Sequence, residues 1–206
     1  MALEFCLLLA ALAVALALRP WRMLRAPALW TPTLALLVLL PWLWAMPRMH
    51  SMPLPLQWSG ACLALLMLGW PLAVPLLCAV AALSTLWAPA PWEVLVQQAF
   101  WQGALPATLA LAWGALLRRF APAHIFVYTL GRGFLGTVLS LFAAQALAQW
   151  LGPGLADVGN GTALVARWLV AWGDGFMTGL LVASFVAFEP GWLATWSDRR
   201  YLAPRP

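Results

Sequence analysis

Three methionines and one histidine stand close together in the stretch 46–52, which reads MPRMHSM. Thioether sulfur and imidazole nitrogen suit soft or borderline transition metals such as Cu(I), Co and Ni. The pattern therefore predicts a metal site that uses Met49, His50 and Met52. A second interpretation stays open, because methionine and histidine are also ordinary residues at a lipid–water boundary.

Charged side chains inside apolar segments form a second candidate group. The stretch Thr162–Phe188 is 27 residues long, which is enough to cross a bilayer with some tilt. Asp174 lies near its middle, where an aspartate costs roughly 3 kcal/mol. Arg167 lies two helical turns earlier on the same face, and Arg132, in another apolar segment, is a second candidate partner. These three residues predict an intramembrane charge network that either fixes helix packing or forms a substrate path or gate.

The elements that must position these residues are membrane-spanning helices. Of the 206 residues, 65% are hydrophobic and only 8% are charged, whereas soluble domains carry about 25% charged residues. The composition predicts an all-α, polytopic membrane bundle in a single domain, residues 1–206. The net charge of +5 comes from arginines at segment ends, so it reports topology in the lipid bilayer and does not indicate nucleic acid.

Seven apolar segments follow one another along the chain. We predict spans at about 3–18, 29–46, 56–69, 71–88, 93–117, 124–150 and 162–188, followed by a tail at 189–206. If the N-terminus is outside, the arginines at 19, 22, 25, 118, 119, 199, 200 and 205 all fall on the cytoplasmic side, and only Arg48 falls outside. The positive-inside rule therefore predicts seven crossings and a cytoplasmic C-terminus, with a turn at Gly69-Trp70-Pro71 separating the third and fourth segments.

Other motifs point away from an enzyme. The sequence has no HExxH motif, no nucleophile elbow and one mid-membrane aspartate, so we predict no catalytic activity and no cofactor. It also lacks a Walker A motif, so ATP would be hydrolysed by a partner chain. Gly131–Gly136 matches GxGxxG without a preceding strand, and we read it as small residues that let helices approach closely. Cys6, Cys62 and Cys78 lie in apolar runs and predict no disulfide.

Four stretches in the later part of the chain resemble a known family. They are LGWPLA at 68–73, AHIFVY at 123–128, GFMTG at 175–179 and EPGWLATWSDRRYL at 189–202. Together they are similar to the CbiM-like family in its proteobacterial branch, whose better-known relatives are substrate-binding membrane (permease) components of cobalt and nickel energy-coupling-factor transporters. The similarity runs from about Leu56 to Leu202. His124 belongs to one of its most specific blocks, and its position at the start of a span is also typical of a helix-end residue.

The resemblance implies a bundle of about seven spans with a metal bound at its outer face. In cobalt and nickel members the ligands are the N-terminal amine, a histidine after Met1 and a histidine in the short helix before the turn. Here Ala2 and Gln57 stand at those two histidine positions, and Gln98 stands where relatives often carry asparagine. We therefore expect Gln57 and Gln98 to line the substrate pocket.

Three functional interpretations stay open at this point. The first is a component of a transition-metal uptake system in the bacterial inner membrane, which the resemblance implies works with a transmembrane coupling protein and cytoplasmic ATPase subunits. The second is a family member that has lost metal binding and serves as a scaffold or accessory subunit. The third, a carrier of an organic substrate, would suit a pocket of Trp and Gln side chains.

Overall fold

The computed structural model describes residues 1–50, 57–152 and 159–201, which form helices and loops without a β-strand. The all-α prediction is therefore confirmed for this part of the chain. The helices are α1 (Ala2–Ala17), α2 (Trp30–Met49), α3 (Ala61–Leu68), α4 (Trp70–Leu83), α5 (Trp92–Gln98), α6 (Leu105–Phe120), α7 (Gly136–Leu151), α8 (Asn160–Phe188) and α9 (Asp198–Tyr201). Two π-helical segments extend them: Ala99–Ala104 joins α5 to α6, and Val127–Leu135 leads into α7.

Four of the helical stretches are long and apolar enough to cross a membrane. They are Pro27–Met49, Trp92–Phe120, Val127–Leu151 and Gly161–Phe188. Two further apolar helices, Ala2–Ala17 and Trp70–Leu86, are shorter. The described chain thus has the helices of a membrane protein, and its long helices coincide with four of the predicted spans to within a few residues.

The boundaries of three helices differ from the prediction. Helix α4 ends at Leu83, whereas the predicted span runs to residue 88. The second helix does not stop at Met46 but continues through Pro47 to Met49, because a proline near a helix end removes only one backbone hydrogen bond. The third helix is shorter than the predicted 56–69, since residues 57–60 are not helical and α3 begins at Ala61. Gly60 has a φ of 65°, a left-handed conformation that glycine adopts at little cost and that redirects the chain into α3.

The bundle has two distinguishable ends. The Met1 end contains Met1, the last turn of α2 and α5, which are joined by the hydrogen bonds described below. At the other end, here called the tail end, the segment Pro27–Leu29 packs against Pro190–Trp192, and Met23 lies beside Gly69. Arg118 and Tyr201 line one cavity at the tail end. The arginine groups at 19–25, 118–119 and 199–200 are therefore gathered at one end.

The last part of the chain contacts helix α3 at both of its ends. All eight of its residues are buried. Near its C-terminus, the carbonyl oxygen of Met67 accepts a hydrogen bond from the N–H of Ala194 (2.9 Å) and that of Leu66 accepts one from the hydroxyl of Thr195 (2.8 Å). These bonds satisfy carbonyl groups that every helix leaves unpaired in its last turn. The tail that follows α8 is thus packed onto α3.

Candidate functional site

The site is organised around Asp174, the central residue of the 29-residue helix α8. Its side chain is only 3% exposed. One carboxylate oxygen accepts the backbone N–H of Ser59 over 2.7 Å, and the other accepts the hydroxyl of Thr178 over 3.3 Å. The N–H of Gly60 lies close to the same carboxylate. Because α3 starts directly after Gly60, the negative charge lies at the N-terminus of a helix, where the helix dipole stabilises it.

The non-helical backbone before α3 is held by three further hydrogen bonds at Ser59. Its carbonyl oxygen accepts the indole N–H of Trp44 over 3.0 Å, and its hydroxyl donates to the carbonyl oxygen of Gln102 over 2.6 Å. The same hydroxyl accepts the N–H of Ala61 over 3.2 Å. Irregular backbone inside an apolar bundle is tolerated only when its polar groups are satisfied in this way.

Hydrogen bonds continue from Trp44 toward the Met1 end through Gln98 and Arg48. The Gln98 amide donates to the carbonyl oxygen of Trp44 over 3.0 Å and accepts from NH1 of Arg48 over 2.7 Å. NH2 of Arg48 donates to the Ser84 hydroxyl over 2.7 Å. Gln57 donates to the side-chain oxygen of Gln102. We call these nine connected residues the central polar network: Trp44, Arg48, Gln57, Ser59, Ser84, Gln98, Gln102, Asp174 and Thr178.

A second polar group lies beside the network at the Met1 end. The N-terminal ammonium of Met1 pairs with one carboxylate oxygen of Glu4 over 2.9 Å, and the indole N–H of Trp101 donates to the other over 2.6 Å. The Gln97 amide contacts the Met1 sulfur over 3.3 Å. Glu4 is only 3% exposed, because these two partners hold its carboxylate inside the bundle. The N-terminal residue is thereby fixed next to α5.

The structure brings the two predicted substrate-lining residues into one network. Gln57 and Gln98 both belong to the central polar network, although they contact different members of it. Among the described residues, Nε of Arg48 and Oε1 of Gln57 have no hydrogen-bond partner. Both atoms are enclosed by the surrounding side chains.

The predicted metal ligands lie at the C-terminal end of α2. The Met49 side chain is 44% exposed. His50 is exposed, and its Nδ1 lies 3.1 Å from the carbonyl oxygen of Met46. Met52 lies outside the described residues. Within the described ranges no three His, Cys, Asp or Glu side chains form a metal-binding group. The Met/His site therefore stays a prediction.

The predicted charge network does not form a single cluster. Arg167 donates from Nε to Gln149 over 3.1 Å and from NH1 to Gln145, both on α7. Asp174 binds Ser59 and Thr178, as described above, and Arg132 lies toward the tail end over the ring of Tyr128. Two helical turns put an offset of about 10 Å between Arg167 and Asp174, so these two charges bind uncharged polar groups instead of each other. Arg132 contacts an aromatic ring on its own helix.

His124 has a local structural role. It directly precedes the helix that carries Arg132, and its Nδ1 accepts the N–H of Phe126 over 3.3 Å. Its ring stacks on the Phe126 ring with centroids 5.4 Å apart. This is the helix-end interpretation of His124.

Several members of the network were not predicted from the sequence. They are Trp44, Arg48, Ser59, Ser84, Gln102 and Thr178. One usable signal was the presence of three glutamines between 97 and 102, since amides in an apolar segment need partners inside the bundle. The pairing of Asp174 with a backbone N–H 115 positions away has no counterpart in the sequence pattern.

Comparison of the chain with family models, curated proteins and solved structures finds no match in any of the three. The central polar network contains one guanidinium, three amides, one indole and the carboxylate of Asp174. The guanidinium and the amides suit hydrogen bonding to a polar or anionic group. The adjoining exposed thioether and imidazole of Met49 and His50 suit a soft or borderline metal.

Replacing Gln98 by leucine is expected to weaken the network measurably. The change leaves NH1 of Arg48 and the carbonyl oxygen of Trp44 without their common partner, which costs about 1–3 kcal/mol for a buried group. Thermal unfolding of the purified protein in detergent measures the loss. The matched control is Gln97→Leu, whose amide is at the surface and touches only the Met1 sulfur. A control variant that loses as much stability as Gln98→Leu would contradict the assignment.

Proposed function

We propose that this chain is the membrane-embedded substrate-binding component of an uptake transporter of the energy-coupling-factor type. The proposal includes seven crossings of the bacterial inner membrane, with Met1 outside. In support of this orientation, the three arginine groups lie together at the tail end, and cytoplasmic surfaces carry an excess of arginine. The crossings are α1, α2, the stretch from 57 to the end of α3, α4, the α5–α6 helix, the helix ending in α7, and α8.

One observation carries this proposal: a helix that begins inside the bundle. Helix α3 starts at the level of Asp174, and the four residues before it are non-helical and hydrogen-bonded to three different helices. Transporters commonly form substrate sites from such discontinuous helices near the bilayer centre, where helix termini and unwound backbone face the substrate. With Met1 outside, the Met1 end of the network is the side from which an external substrate would enter, and buried polar atoms of Arg48 and Gln57 still lack a hydrogen-bond partner there.

The resemblance to the CbiM-like family suggests that the substrate is a transition metal such as cobalt or nickel. In this proposal Met49, His50 and Met52 hold the metal at the outer end, and Gln57 and Gln98 line the path below it. A transmembrane coupling protein and cytoplasmic ATPase subunits supply the energy.

A polar organic substrate is the second candidate, and the composition of the network favours it. The guanidinium, three amides and one indole of the network bind carboxylates and carbonyls more readily than they bind Co or Ni. The Asp174 carboxylate already accepts hydrogen bonds from Ser59 and Thr178. A chain that takes neither kind of substrate would be an accessory subunit of another membrane complex.

Elemental analysis of the purified protein, followed by titration with Co(II), Ni(II) and Cu(I), tests the first candidate. We expect near-stoichiometric metal, and we expect the triple variant Met49→Leu, His50→Ala, Met52→Leu to bind it roughly tenfold or more weakly, since even indirect metal contacts have effects of this size. His124→Ala is the matched control, because His124 is the other histidine of the chain and lies at the opposite end.

The outcomes separate the candidates. If the triple variant binds metal as well as the wild type, the site assignment is wrong. If the wild type binds no metal, the metal proposal is wrong, and small organic acids are titrated with Arg48→Gln as the test variant. Failure of both kinds of ligand, with a stable protein partner that copurifies, would identify an accessory subunit.

A further inference from the structure

Arg132 is a buried cation outside the central polar network. Its side chain is 5% exposed, and its guanidinium carbon lies 5.4 Å from the centre of the Tyr128 ring. The group also packs against the backbone of α6 at Gly114, where a Cβ atom would lie 2.8 Å from both Nε and NH2. A glycine at this position therefore makes room for the guanidinium between α6 and the helix of Tyr128.

Two nitrogens of this guanidinium have unused hydrogen bonds. Within the described part of the chain, Nε and NH1 of Arg132 have no acceptor. A buried charge that lacks hydrogen bonds is unfavourable, and nearly all buried polar groups in proteins have a partner. The packing of Arg132 thus holds a buried cation in place while two of its N–H-bearing nitrogens lack an acceptor within the described chain.

Arg132 lines a cavity of about 60 Å³ at the tail end. One water molecule needs roughly 10–15 Å³ of cavity volume. The cavity therefore has room for several water-sized groups, and this is enough for an oxyanion. Arg132 and Arg118 both line it, together with Tyr201, and the remaining wall is mainly apolar, with Pro122 and Val127. Arg118 is exposed, so one arginine is deep and the other stands at the surface.

We propose that this cavity binds a phosphate group, carried by an anionic phospholipid headgroup or by free phosphate. Two arginines at different depths neutralise the charge, and guanidinium N–H groups form strong charge-assisted hydrogen bonds to phosphate oxygens. The cavity opens where α6 ends and the next membrane-length helix begins, which is the depth of the headgroups in a bilayer. Basic pockets between membrane helices are a recurrent form of lipid headgroup site.

The test measures binding of phosphatidylglycerol to the full chain in detergent by native mass spectrometry, with phosphatidylcholine as the uncharged reference and inorganic phosphate as competitor. Arg132→Gln, Arg118→Gln and Gly114→Ala are expected to weaken phosphatidylglycerol binding, by about tenfold or more for Arg132→Gln. Gly114→Ala tests the site without removing a charge: its Cβ displaces the end of a flexible side chain, so the protein still folds. The matched control is Arg119→Gln, because Arg119 is exposed on the same helix, lies over the Phe120 ring and is not part of the cavity.

Competition by inorganic phosphate would identify the phosphate group alone as sufficient, and binding of phosphatidylglycerol without such competition would identify the lipid as the ligand. Either result, with the control variant unchanged, supports the proposal. The proposal is overturned if phosphatidylglycerol binds no better than phosphatidylcholine and phosphate has no effect. It is also overturned if Gly114→Ala and Arg118→Gln both retain wild-type binding, a comparison that remains available even if Arg132→Gln does not fold.

Discussion

Asp174→Leu is expected to be the most damaging single substitution in the central polar network. Leucine removes the acceptor for the N–H of Ser59 and for the hydroxyl of Thr178 in a fully enclosed position. Buried groups left without partners cost about 1–3 kcal/mol each, so the loss for these two groups is about 2–6 kcal/mol. For a chain of this size that lowers the unfolding temperature by roughly 4–24 °C. Thermal unfolding in detergent gives this value.

Two further variants define the cause of the loss. Asp174→Asn keeps one acceptor oxygen but removes the charge, so it should fall between the leucine variant and the wild type. Leu180→Ala, at a 65% exposed position on the same helix, should have little effect. A leucine variant that folds and transports as well as the wild type would show that Asp174 is neither the anchor of α3 nor a gate for substrate.

Two glycines on α8 that are two positions apart are expected to respond to alanine in opposite directions. At Gly175 a Cβ atom would overlap Cγ2 of Val138 and lie 3.3 Å from the carbonyl oxygen of Phe134. Overpacking of this kind costs about 1–3 kcal/mol, so Gly175→Ala should lower the free energy of unfolding. At Gly173 nothing lies within 4 Å of the added atom. There alanine improves helix propensity by up to about 1 kcal/mol, so Gly173→Ala should be neutral or stabilising.

The pair is measured in the same thermal unfolding experiment, and each glycine is the control for the other. If both variants change the free energy of unfolding in the same direction, the close contact of Gly175 with Val138 and Phe134 is contradicted. The contact matters because Phe134 belongs to the stretch Gly131–Gly136, which we interpreted as a helix-packing motif.

The helices of this protein were largely predictable because they depend on local chemistry. Glycine and proline interrupt the apolar runs, and the break at Gly69 falls where the sequence predicts it. The start of α3 was harder to predict from the sequence. Gln57 lies within the predicted span, and the positive φ of Gly60 separates it from helix α3. Loop and helix differ here by tertiary contacts rather than by composition.

The polar site was predictable in its residue types and not in its pairing. An aspartate in an apolar segment indicates that a partner exists, and charge alone suggests that this partner is an arginine. The structure instead supplies a backbone N–H, which every residue but proline carries and which no sequence pattern marks. Arg167 is different, since Gln145 and Gln149 are spaced four residues apart on α7 and therefore share one face. That spacing is visible in the sequence.

The hydrogen bonds at the two ends of α3 also limit the order in which the protein can be assembled. Ser59 and Asp174 are separated by 115 residues, and Leu66 and Thr195 by 129. At the usual 5–20 residues per second, a ribosome needs about 6–23 s to make the first of these intervals. Helix α3 can pack against α4 and α6 during this interval. The hydrogen bonds at its two ends form only after Asp174 and Thr195 have been synthesised.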